Sequence, residues 1–405
     1  MKKLLALILS LAMILCLVAC GKSATGEKTA VNPDLKVGVI LVGDENEGYT
    51  FAHIDGIKKA AKELGIKDDQ IIWKYSIGED QTCYDAAAEL VDSGCKYVFS
   101  NSYGHQSYIE QAAKDFPNVT FVAMTGDTAA KSGLNNFCNA FTNVYESRYV
   151  SGVVAGMKLA ELIKDNKLAS NNFDAKKNVK LGYVGAYPYS EVVSGYTAFY
   201  LGVKSIVPNV VMDVTYTNSW FNITAEGEAA KSLIAGGCVI IGQHADSTGA
   251  PAAIQAINKT GKPCYSVGYN VDMLSVAPDA ALTSATNNWA VYYTYALGAA
   301  VKGEKIAQNW SKGYAEGAVA ITKLGSSCAD GTQKKVDEVI KAIKDGTLHV
   351  FDTSTWTAGG KTLTSYTKSY GFEGNELIKD GYFHESELRS APAFDIRIDG
   401  ITELN

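Results

Sequence analysis

Aromatic, acidic and amide side chains recur together in a set of short segments of this sequence, and none of these segments contains Lys or Arg. The segments are residues 43–53, 101–106, 125–127, 186–191, 218–222, 243–247, 269–273 and 286–293. Aromatic rings stack on flat molecules, and Asp, Asn and His side chains read the donors and acceptors at the edge of a ring. Together these residue types predict a binding site for a small planar polar molecule.

The absence of basic residues from these segments restricts the class of ligand. Phosphates, carboxylates and amino acids are normally held by charge-assisted hydrogen bonds from Arg or Lys. Acidic loops would repel such anions, although a helix N-terminus offers another way to bind one. The ligand classes that remain are a neutral or cationic planar molecule and a neutral sugar. Purines meet both requirements, because they present a flat face and a patterned edge.

Structural roles compete with binding at several residues of these segments. His53 is assigned to holding its loop, whereas Trp220 fits the hinge or a lobe core as well as it fits a ligand site. Asp272 fits a helix cap, a common use of Asp. A buried carboxylate such as Asp246 needs a partner in the ligand, in the other lobe or nearby. The candidate ligand contacts are Tyr49, Thr50, Phe51, Ser102, Tyr103, Tyr187, Glu191, Trp220, His244, Asp246, Asn270, Asp272 and Trp289.

Short apolar runs alternate with helical segments from residue 36 onward, which is typical of a parallel sheet flanked by helices. The first half has strand patterns at 37–42, 70–75 and 96–99 and helix patterns at 56–64 and 84–92. The second half repeats this order with strands at 180–184, 210–216 and 239–241 and helices at 199–206 and 225–235. The repeat predicts an α/β protein of two Rossmann-like lobes with parallel sheets. Ligands bind at the carboxyl ends of such strands, where the aromatic segments lie.

The lobe boundaries follow from where the chain should cross between the sheets. Crossings are expected near residues 141–145 and 269–272, which form a hinge. The first lobe is then 36–142 plus about 270–322, and the second lobe is 143–269 plus about 323–405. The tail, with a helix pattern at 335–344, is expected to pack on the second lobe and is given no ligand role.

The first residues carry the pattern of a lipoprotein leader. Lys2 and Lys3 precede an apolar run that ends in Leu, Val, Ala and Cys20. This run is short for a membrane span, which needs about 20 residues, and it fits a secretory signal. We expect a signal peptide over 1–19, lipidation of Cys20 and a flexible tether over 20–35, which anchors the protein at the extracytoplasmic face of the cell membrane. An ordinary signal peptide that contains a cysteine is the alternative.

Composition narrows the remaining partners. With 47% hydrophobic and 20% charged residues, the mature chain resembles a globular protein of about two domains. A net charge of −6 provides no basic field for nucleic acid. No further segment is long and apolar enough to span a membrane. No cysteine pair has C-x-x-C spacing and the histidines form no cluster, so we expect no metal and no cofactor.

The mature cysteines other than Cys20 leave two readings open. Cys95 and Cys238 each begin an apolar run, where cysteine serves as a small buried hydrophobe. Disulfides are permitted outside the cytoplasm, and sequence alone cannot pair the residues. The six cysteines concerned are Cys83, Cys95, Cys138, Cys238, Cys264 and Cys328.

Four motifs resemble the basic membrane protein family, the substrate-binding lipoproteins of ABC importers related to purine nucleoside receptors. They are GYTFAHIDG at 48–56, YVSGVVAG at 149–156, GQHADS at 242–247 and GYNVDM at 268–273. The resemblance runs from about residue 36 to 322 and implies a periplasmic-binding-protein-like fold, a purine-type ligand and ABC permease partners. Family members that bind nucleosides carry an acidic residue and a lysine near the positions of Asn270 and Asn287. The GYTFAH stretch at 48–53 and the NNW stretch at 287–289 instead resemble a branch of the family associated with free nucleobases.

Three other functions compete with a purine receptor that feeds a permease. A neutral-sugar receptor of the same fold would also use aromatic rings and carboxylates. A ligand sensor that reports to a signalling partner would share every feature of the site. An enzyme such as a nucleoside hydrolase is disfavoured, because the sequence has no G-x-S-x-G elbow, metal-ligand cluster or Cys-His pair.

Overall fold

A computed structural model describes residues 31–405. The expected signal peptide, Cys20 and most of the expected tether lie outside the described residues. The strands are β1 (Val37–Ile40), β2 (Ile71–Lys74), β3 (Tyr97–Ser100), β4 (Thr120–Met124), β5 (Phe137–Thr142), β6 (Val179–Gly185), β7 (Val210–Tyr216), β8 (Ile240–Gln243), β9 (Tyr265–Tyr269), β10 (Ala281–Asn287), β11 (Asn309–Lys312), β12 (Val319–Ile321), β13 (Ile378–Lys379), β14 (Tyr382–Phe383) and β15 (Ile401–Glu403). The helices are α1 (Gly48–Leu64), α2 (Gln81–Asp92), α3 (Gln106–Asp115), α4 (Ala129–Ser132), α5 (Val144–Lys164), α6 (Ser190–Lys204), α7 (Ile223–Ala235), α8 (Gly249–Asn258), α9 (Trp289–Lys302) and α10 (Thr332–Lys344).

Two large sheets organise most of these elements, one in each lobe, and β13 and β14 form a separate antiparallel pair. The six-stranded sheet has the order β11-β5-β4-β3-β1-β2, and all its pairs are parallel. The seven-stranded sheet has the order β12-β10-β9-β8-β6-β7-β15, and only β12 runs antiparallel to its neighbour. The predicted α/β architecture of two lobes with parallel sheets is confirmed.

The local sequence accounts for the central strands and for the helix that follows β1. All four residues of β1 are buried, because helices cover both faces of a parallel sheet and its strands read as continuous apolar runs. Helix α1 begins after Glu47, whose side chain accepts from the backbone N–H groups of Tyr49 and Thr50. It ends at Gly65, which has a φ of 80° and so forms a left-handed cap.

Helices α5 and α6 pack closely against each other in the second lobe, and glycines make this possible. A Cβ atom at Gly152 would lie 2.1 Å from the carbonyl oxygen of Phe199. A Cβ atom at Gly202 would lie 2.1 Å from the carbonyl oxygen of Tyr149. The small residues of the 149–156 motif therefore serve helix packing.

The chain crosses between the lobes three times. The first crossing, from β5 to α5, lies within the expected 141–145. The expected return near 269–272 is wrong, because β10 pairs with β9 and stays in the seven-stranded sheet. The chain returns between β10 and α9, which packs in the core of the first lobe, and it crosses again between β11 and β12. The boundary expected at about residue 270 therefore moves to residue 288.

Hydrogen bonds tie the three crossings to one another. The N–H group of Asn143 donates to the carbonyl oxygen of Lys312 at 2.8 Å, and that of Asn288 donates to the carbonyl oxygen of Ala318 at 2.8 Å. The carboxylate of Glu146 accepts from the N–H group of Tyr314 at 2.7 Å. Burial raises the pKa of Glu146. The crossings therefore form one connected hinge.

The tail after α10 packs mainly on the second lobe, as expected. Phe351, Trp356 and Phe394 join the core of that lobe. Strand β15 pairs with β7 and adds a parallel edge strand to the seven-stranded sheet. Part of the tail also contacts the first lobe, which the sequence did not lead us to expect.

The cysteines and the helices of residues 31–405 settle two further points. All six cysteines in this range are free, and Cys95 and Cys238 are each only 1% exposed, as expected for small buried hydrophobes. No helix in this range combines the length and the apolar composition needed to cross a membrane.

Candidate functional site

A cavity of about 440 Å³ lies between the lobes. Its walls are the loops that follow β1, β2, β3 and β4 in the first lobe and β6, β7, β8 and β9 in the second. The lining residues are Val42, Gly43, Asp44, Asn46, Glu47, Tyr49, Ser76, Glu79, Ser102, Tyr103, Thr125, Tyr187, Glu191, Ser219, Trp220, Phe221, His244, Asp246 and Tyr269. The cavity therefore occupies the carboxyl ends of the parallel strands of both sheets, where ligands bind in such folds.

The first-lobe wall is built around the start of α1. The carboxylate of Glu47 accepts from the N–H groups of Tyr49 at 3.0 Å and Thr50 at 2.9 Å. The hydroxyl of Tyr49 donates to the carbonyl oxygen of Asn101 at the end of β3. Tyr49 is thus held at its backbone N–H group and at its hydroxyl, and it lines the cavity.

The second-lobe wall is an aromatic cluster. The rings of Tyr187 and Tyr189 are stacked, with centroids 5.1 Å apart and planes at 13°. The ring of Trp220 meets Tyr187 edge to face at a centroid distance of 5.1 Å. Tyr189 also approaches Tyr103 of the first lobe, with ring centroids 5.6 Å apart. A flat ligand can therefore find ring faces on both sides of the cleft.

Carboxyl groups dominate the charge of the cavity, and no Lys or Arg is among its lining residues. Burial raises the pKa of Glu191 to about 7, against the opposing effect of Arg148. Burial also raises the pKa of Asp246 well above its ordinary range, and the nearby Glu47 carboxylate adds to the effect. With a pKa of about 7, Glu191 can hold a proton near neutral pH. The carboxyl groups suit a ligand that donates hydrogen bonds and carries no negative charge.

His244 is a neutral polar group between the cavity and the second-lobe core. Its Nε2 lies 3.2 Å from a carboxylate oxygen of Glu191. Burial and then the charge of Arg148 hold the pKa of His244 well below its usual range. The guanidinium of Arg148 lies 3.6 Å from the ring centre of Tyr269 and donates to the carbonyl oxygen of Gln243 at 2.6 Å. Arg148 is a cation behind the wall, which the inspection of loops missed because the residue lies on α5.

The structure brings most of the candidate contacts together. Those among the lining residues are Tyr49, Ser102, Tyr103, Tyr187, Glu191, Trp220, His244 and Asp246. The rule that ligands bind at the ends of parallel strands therefore led to residues that line one cavity, and their contact with a ligand stays a prediction.

Five candidate contacts lie outside the cavity lining. Trp289 is 1% exposed and stacks on His53 in the first-lobe core, with ring centroids 4.3 Å apart. Phe51 is 45% exposed. Asp272 accepts from the N–H group of Leu274 in a turn, and the helix cap expected of it is wrong because no helix lies between Asp272 and β10. The remaining two are Thr50 and Asn270, which are buried behind the wall. The interpretation of Trp289 as cleft lining is therefore wrong, and residues 286–293 contribute nothing to the cavity.

The loop after β2 was missed. Ser76 and Glu79 line the cavity, and Glu79 accepts from the hydroxyl of Ser102 and from the N–H group of Gly104 at 3.2 Å. The loop has no aromatic cluster of its own beyond Tyr75. The signal that could have found it is its place at the carboxyl end of a predicted parallel strand.

Two parallel α/β lobes that enclose an aromatic and acidic cavity at the ends of their strands define a two-lobed receptor for small solutes. The chain belongs to the Bmp family of PnrA-like ABC transporter substrate-binding proteins, whose model matches residues 35–353. This match confirms the resemblance to the basic membrane protein family. The protein is thus a substrate-binding protein of an ABC transporter.

Individual relatives agree with this assignment. The chain is 32% identical over 341 residues to a purine-binding protein of Brucella abortus, covering 82% of this chain and 89% of that protein. It is 27% identical over 254 residues to a putative ABC transporter glucose-binding protein of Haloferax volcanii, covering 63% of this chain and 58% of the relative. An ABC transporter solute-binding protein from Aeropyrum pernix has the same fold, with a TM-score of 0.65 at 15% identity, covering 78% of this chain and 93% of that chain.

Proposed function

We propose that the protein captures a purine nucleobase or nucleoside in the cavity between its lobes and delivers it to the permease of an ABC importer. The observation that carries this proposal is the lining of the cavity, in which tyrosine and tryptophan rings alternate with carboxyl groups and basic residues are absent. Purine rings stack on aromatic faces, and their N–H groups donate to carboxylates. The purine-binding relative, which aligns with most of the chain, supports the same ligand class.

The size and the shape of the cavity are consistent with this ligand. Sites for small molecules typically span about 300 to 1,000 Å³, and this cavity of about 440 Å³ lies within that range. Its neutral His244 and proton-holding Glu191 can each serve as donor or acceptor at a ring edge. A base or a nucleoside fits this chemistry better than a phosphate does.

A neutral-sugar receptor is the second candidate. Aromatic faces and carboxylates also bind hexoses, and the glucose-binding name of a relative favours this possibility. The relative aligns over a smaller part of both chains than the purine-binding protein does. We therefore rank the sugar below the purine.

We further propose that the protein acts outside the cytoplasm, is held at the membrane by a lipid on Cys20, and catalyses no reaction on its ligand. The sequence from residue 1 to Cys20 supports the anchor. Membership of a substrate-binding family supports the absence of catalysis. A receptor whose output is a signal rather than transport would have the same site. Uptake of the ligand by cells with and without the permease would separate the two, because only transport depends on the permease.

Thermal unfolding against a ligand panel tests the proposed ligand. Adenine, hypoxanthine and adenosine should raise the melting temperature, because a ligand that binds only the folded chain stabilises it. Glucose and inorganic phosphate should leave it unchanged. A panel in which glucose alone stabilises the chain would favour the sugar receptor. Chromatography of adenosine after incubation with the protein should recover it intact, whereas release of adenine would indicate a hydrolase.

A further inference from the structure

The tail contains a segment, residues 366–395, that we call the C-terminal strap. Its side toward the second lobe is fastened by Glu385, which accepts from the hydroxyl of Ser194 on α6 at 2.5 Å. Beyond the strap, β15 continues into the second sheet. The strap lies past residue 353, where the match to the family model ends. The strap is therefore anchored in the second lobe at two places, at Glu385 within it and at β15 beyond its end.

Two parts of the strap, near Phe372 and near Arg389, contact the first lobe, whereas Leu377 and Phe383 between them pack in the second-lobe core. Arg389 forms an ion pair of 3.3 Å with Asp127, which precedes α4, and these side chains are only 3% and 12% exposed. The ammonium group of Lys131 on α4 lies 4.1 Å from the ring centre of Phe372. Ala391 packs in the core of the first lobe. The strap thus ties the two lobes together without a peptide crossing.

The ion pair also reaches the cavity wall. The carboxylate of Asp127 accepts from the hydroxyl of Tyr103 at 3.5 Å and from the side-chain amide of Gln106 at 3.1 Å. Tyr103 lines the cavity and meets Tyr189 of the second lobe. Because Arg389 approaches the first lobe beside this contact, parting the lobes there would also part Arg389 from Asp127.

We propose that the C-terminal strap latches the two lobes in the closed form, with Arg389 as a positioning residue that holds Asp127 and, through it, Tyr103 of the binding cavity. The latch acts on the closed form because its buried ion pair joins the strap to the first lobe where the two lobes meet. Removing one partner of a buried pair leaves the other charge uncompensated, so the closed form loses stability relative to the open one. The latch retains ligand by slowing reopening.

The test compares the parent with Arg389→Gln, Asp127→Asn and the double variant. Small-angle scattering of the ligand-free proteins should give a larger radius of gyration for each variant. This measurement needs no ligand, so its result stands whatever becomes of the purine proposal. Stopped-flow dissociation of adenine, which rests on that proposal, should speed up by about fivefold or more. The double variant should have nearly the same radius of gyration and dissociation rate as either single variant. Arg389→Lys should lie between the parent and Arg389→Gln in both measurements.

Arg397→Gln is the matched control, because Arg397 is a tail arginine whose ion pair of 3.0 Å, with Glu403, stays within the second lobe. It should leave both the radius of gyration and the dissociation rate at parental values. A purely structural role for Arg389 would lower the melting temperature and leave scattering and dissociation unchanged. That result, or additive effects in the double variant, would overturn the latch.

Discussion

Asn270 donates a hydrogen bond of 2.7 Å from Nδ2 to Oδ1 of Asp246, so a residue outside the cavity lining holds a carboxyl group that lies within it. The Nδ2 group of Asn287 donates to Oδ1 of Asn270 at 3.0 Å. The hydroxyl of Thr142 then donates to Oδ1 of Asn287 at 2.5 Å. Thr142 ends β5 and Asn287 ends β10, and both strands lead into crossings between the lobes. This row of side chains joins the cavity to the hinge.

Replacing Asn270 tests whether this row supports binding. Asn270 has a φ of 61°, which glycine adopts without strain, so Asn270→Gly removes the amide and keeps the backbone. A buried Asp246 without its donor should weaken adenine binding by about 1 to 3 kcal/mol in calorimetry. Asn166→Gly, at a φ of 52° and outside the cavity lining, is the control. Equal affinities for the two variants would contradict a role for Asn270.

Trp220, which is partly buried, and Trp289, which is fully buried, should respond differently to truncation. Trp220→Ala removes a ring from the cavity wall and should weaken adenine binding by about 1 to 3 kcal/mol. Trp289→Ala removes a ring from the first-lobe core and should lower the free energy of unfolding by about 3 to 5 kcal/mol. Phe51→Ala is the control, since Phe51 is 45% exposed and lines no part of the cavity. If Trp289→Ala abolished binding in a fully stable protein, the placement of the site would be wrong.

The contrast between these tryptophans shows how far sequence patterns reach. Periodicity predicted that ligand groups gather at the strand ends, because hydrophobic runs reveal strands and parallel strands share one edge. It could not tell Trp289 from Trp220, since each follows a strand pattern and begins or precedes a helix. Which face of α9 turns inward depends on its packing against α1, which no local pattern contains.

The crossings show the same limit at the level of the fold. The turn from β9 at Tyr269 to β10 keeps the chain in the same sheet. Its amino-acid pattern does not distinguish it from a turn that leads into the other sheet. The choice is made by hydrogen bonding between β10 and β9, a contact that forms only in the folded lobe. Likewise, the ion pair of Arg389 with Asp127 joins residues far apart in the chain, so neither residue stands out in sequence.

Stability should depend on pH through Glu385 of the strap. Burial raises the pKa of Glu385 from the ordinary 4.5 to about 7. Between these values the folded chain binds more protons than the unfolded chain, so the free energy of unfolding falls as pH rises through this window. Glu385→Gln imitates the protonated acid and should lack this part of the fall. The free energy of unfolding, measured with urea, should differ between parent and variant by an amount that changes by about 2 to 3 kcal/mol from about pH 5 to 8. Parallel pH profiles would contradict the shift.

The proposed lipid anchor depends on Cys20, which lies outside the described residues. Cys20→Ala should move the protein from the membrane fraction to the soluble fraction of cells, because no thiol is left to carry the lipid. Cys16→Ala is the control, since Cys16 falls inside the apolar run and should be removed with the signal peptide. Fractionation that needs detergent in both variants would refute anchoring through Cys20.

Ligand entry should require the lobes to separate. The lobes meet beside the cavity, where a Cβ atom at Gly48 would lie 3.2 Å from a methyl group of Val271. They meet again where Tyr103 approaches Tyr189. Because the lobes touch at both places, rotation about the three crossings would widen the way into the cavity. The closed form gains population only if ligand binds it more tightly than the open form.

Adenine should therefore lower the radius of gyration measured by small-angle scattering. A cysteine pair introduced by Gly48→Cys and Val271→Cys, which replaces no residue of the cavity lining, should crosslink faster with adenine than without it. A pair placed within one lobe, Ser132→Cys and Leu134→Cys, should crosslink at the same rate in both conditions, because hinge rotation does not alter distances inside a lobe. Scattering curves and crosslinking rates that do not change at saturating adenine, in a protein shown to bind it, would rule out closure on the ligand.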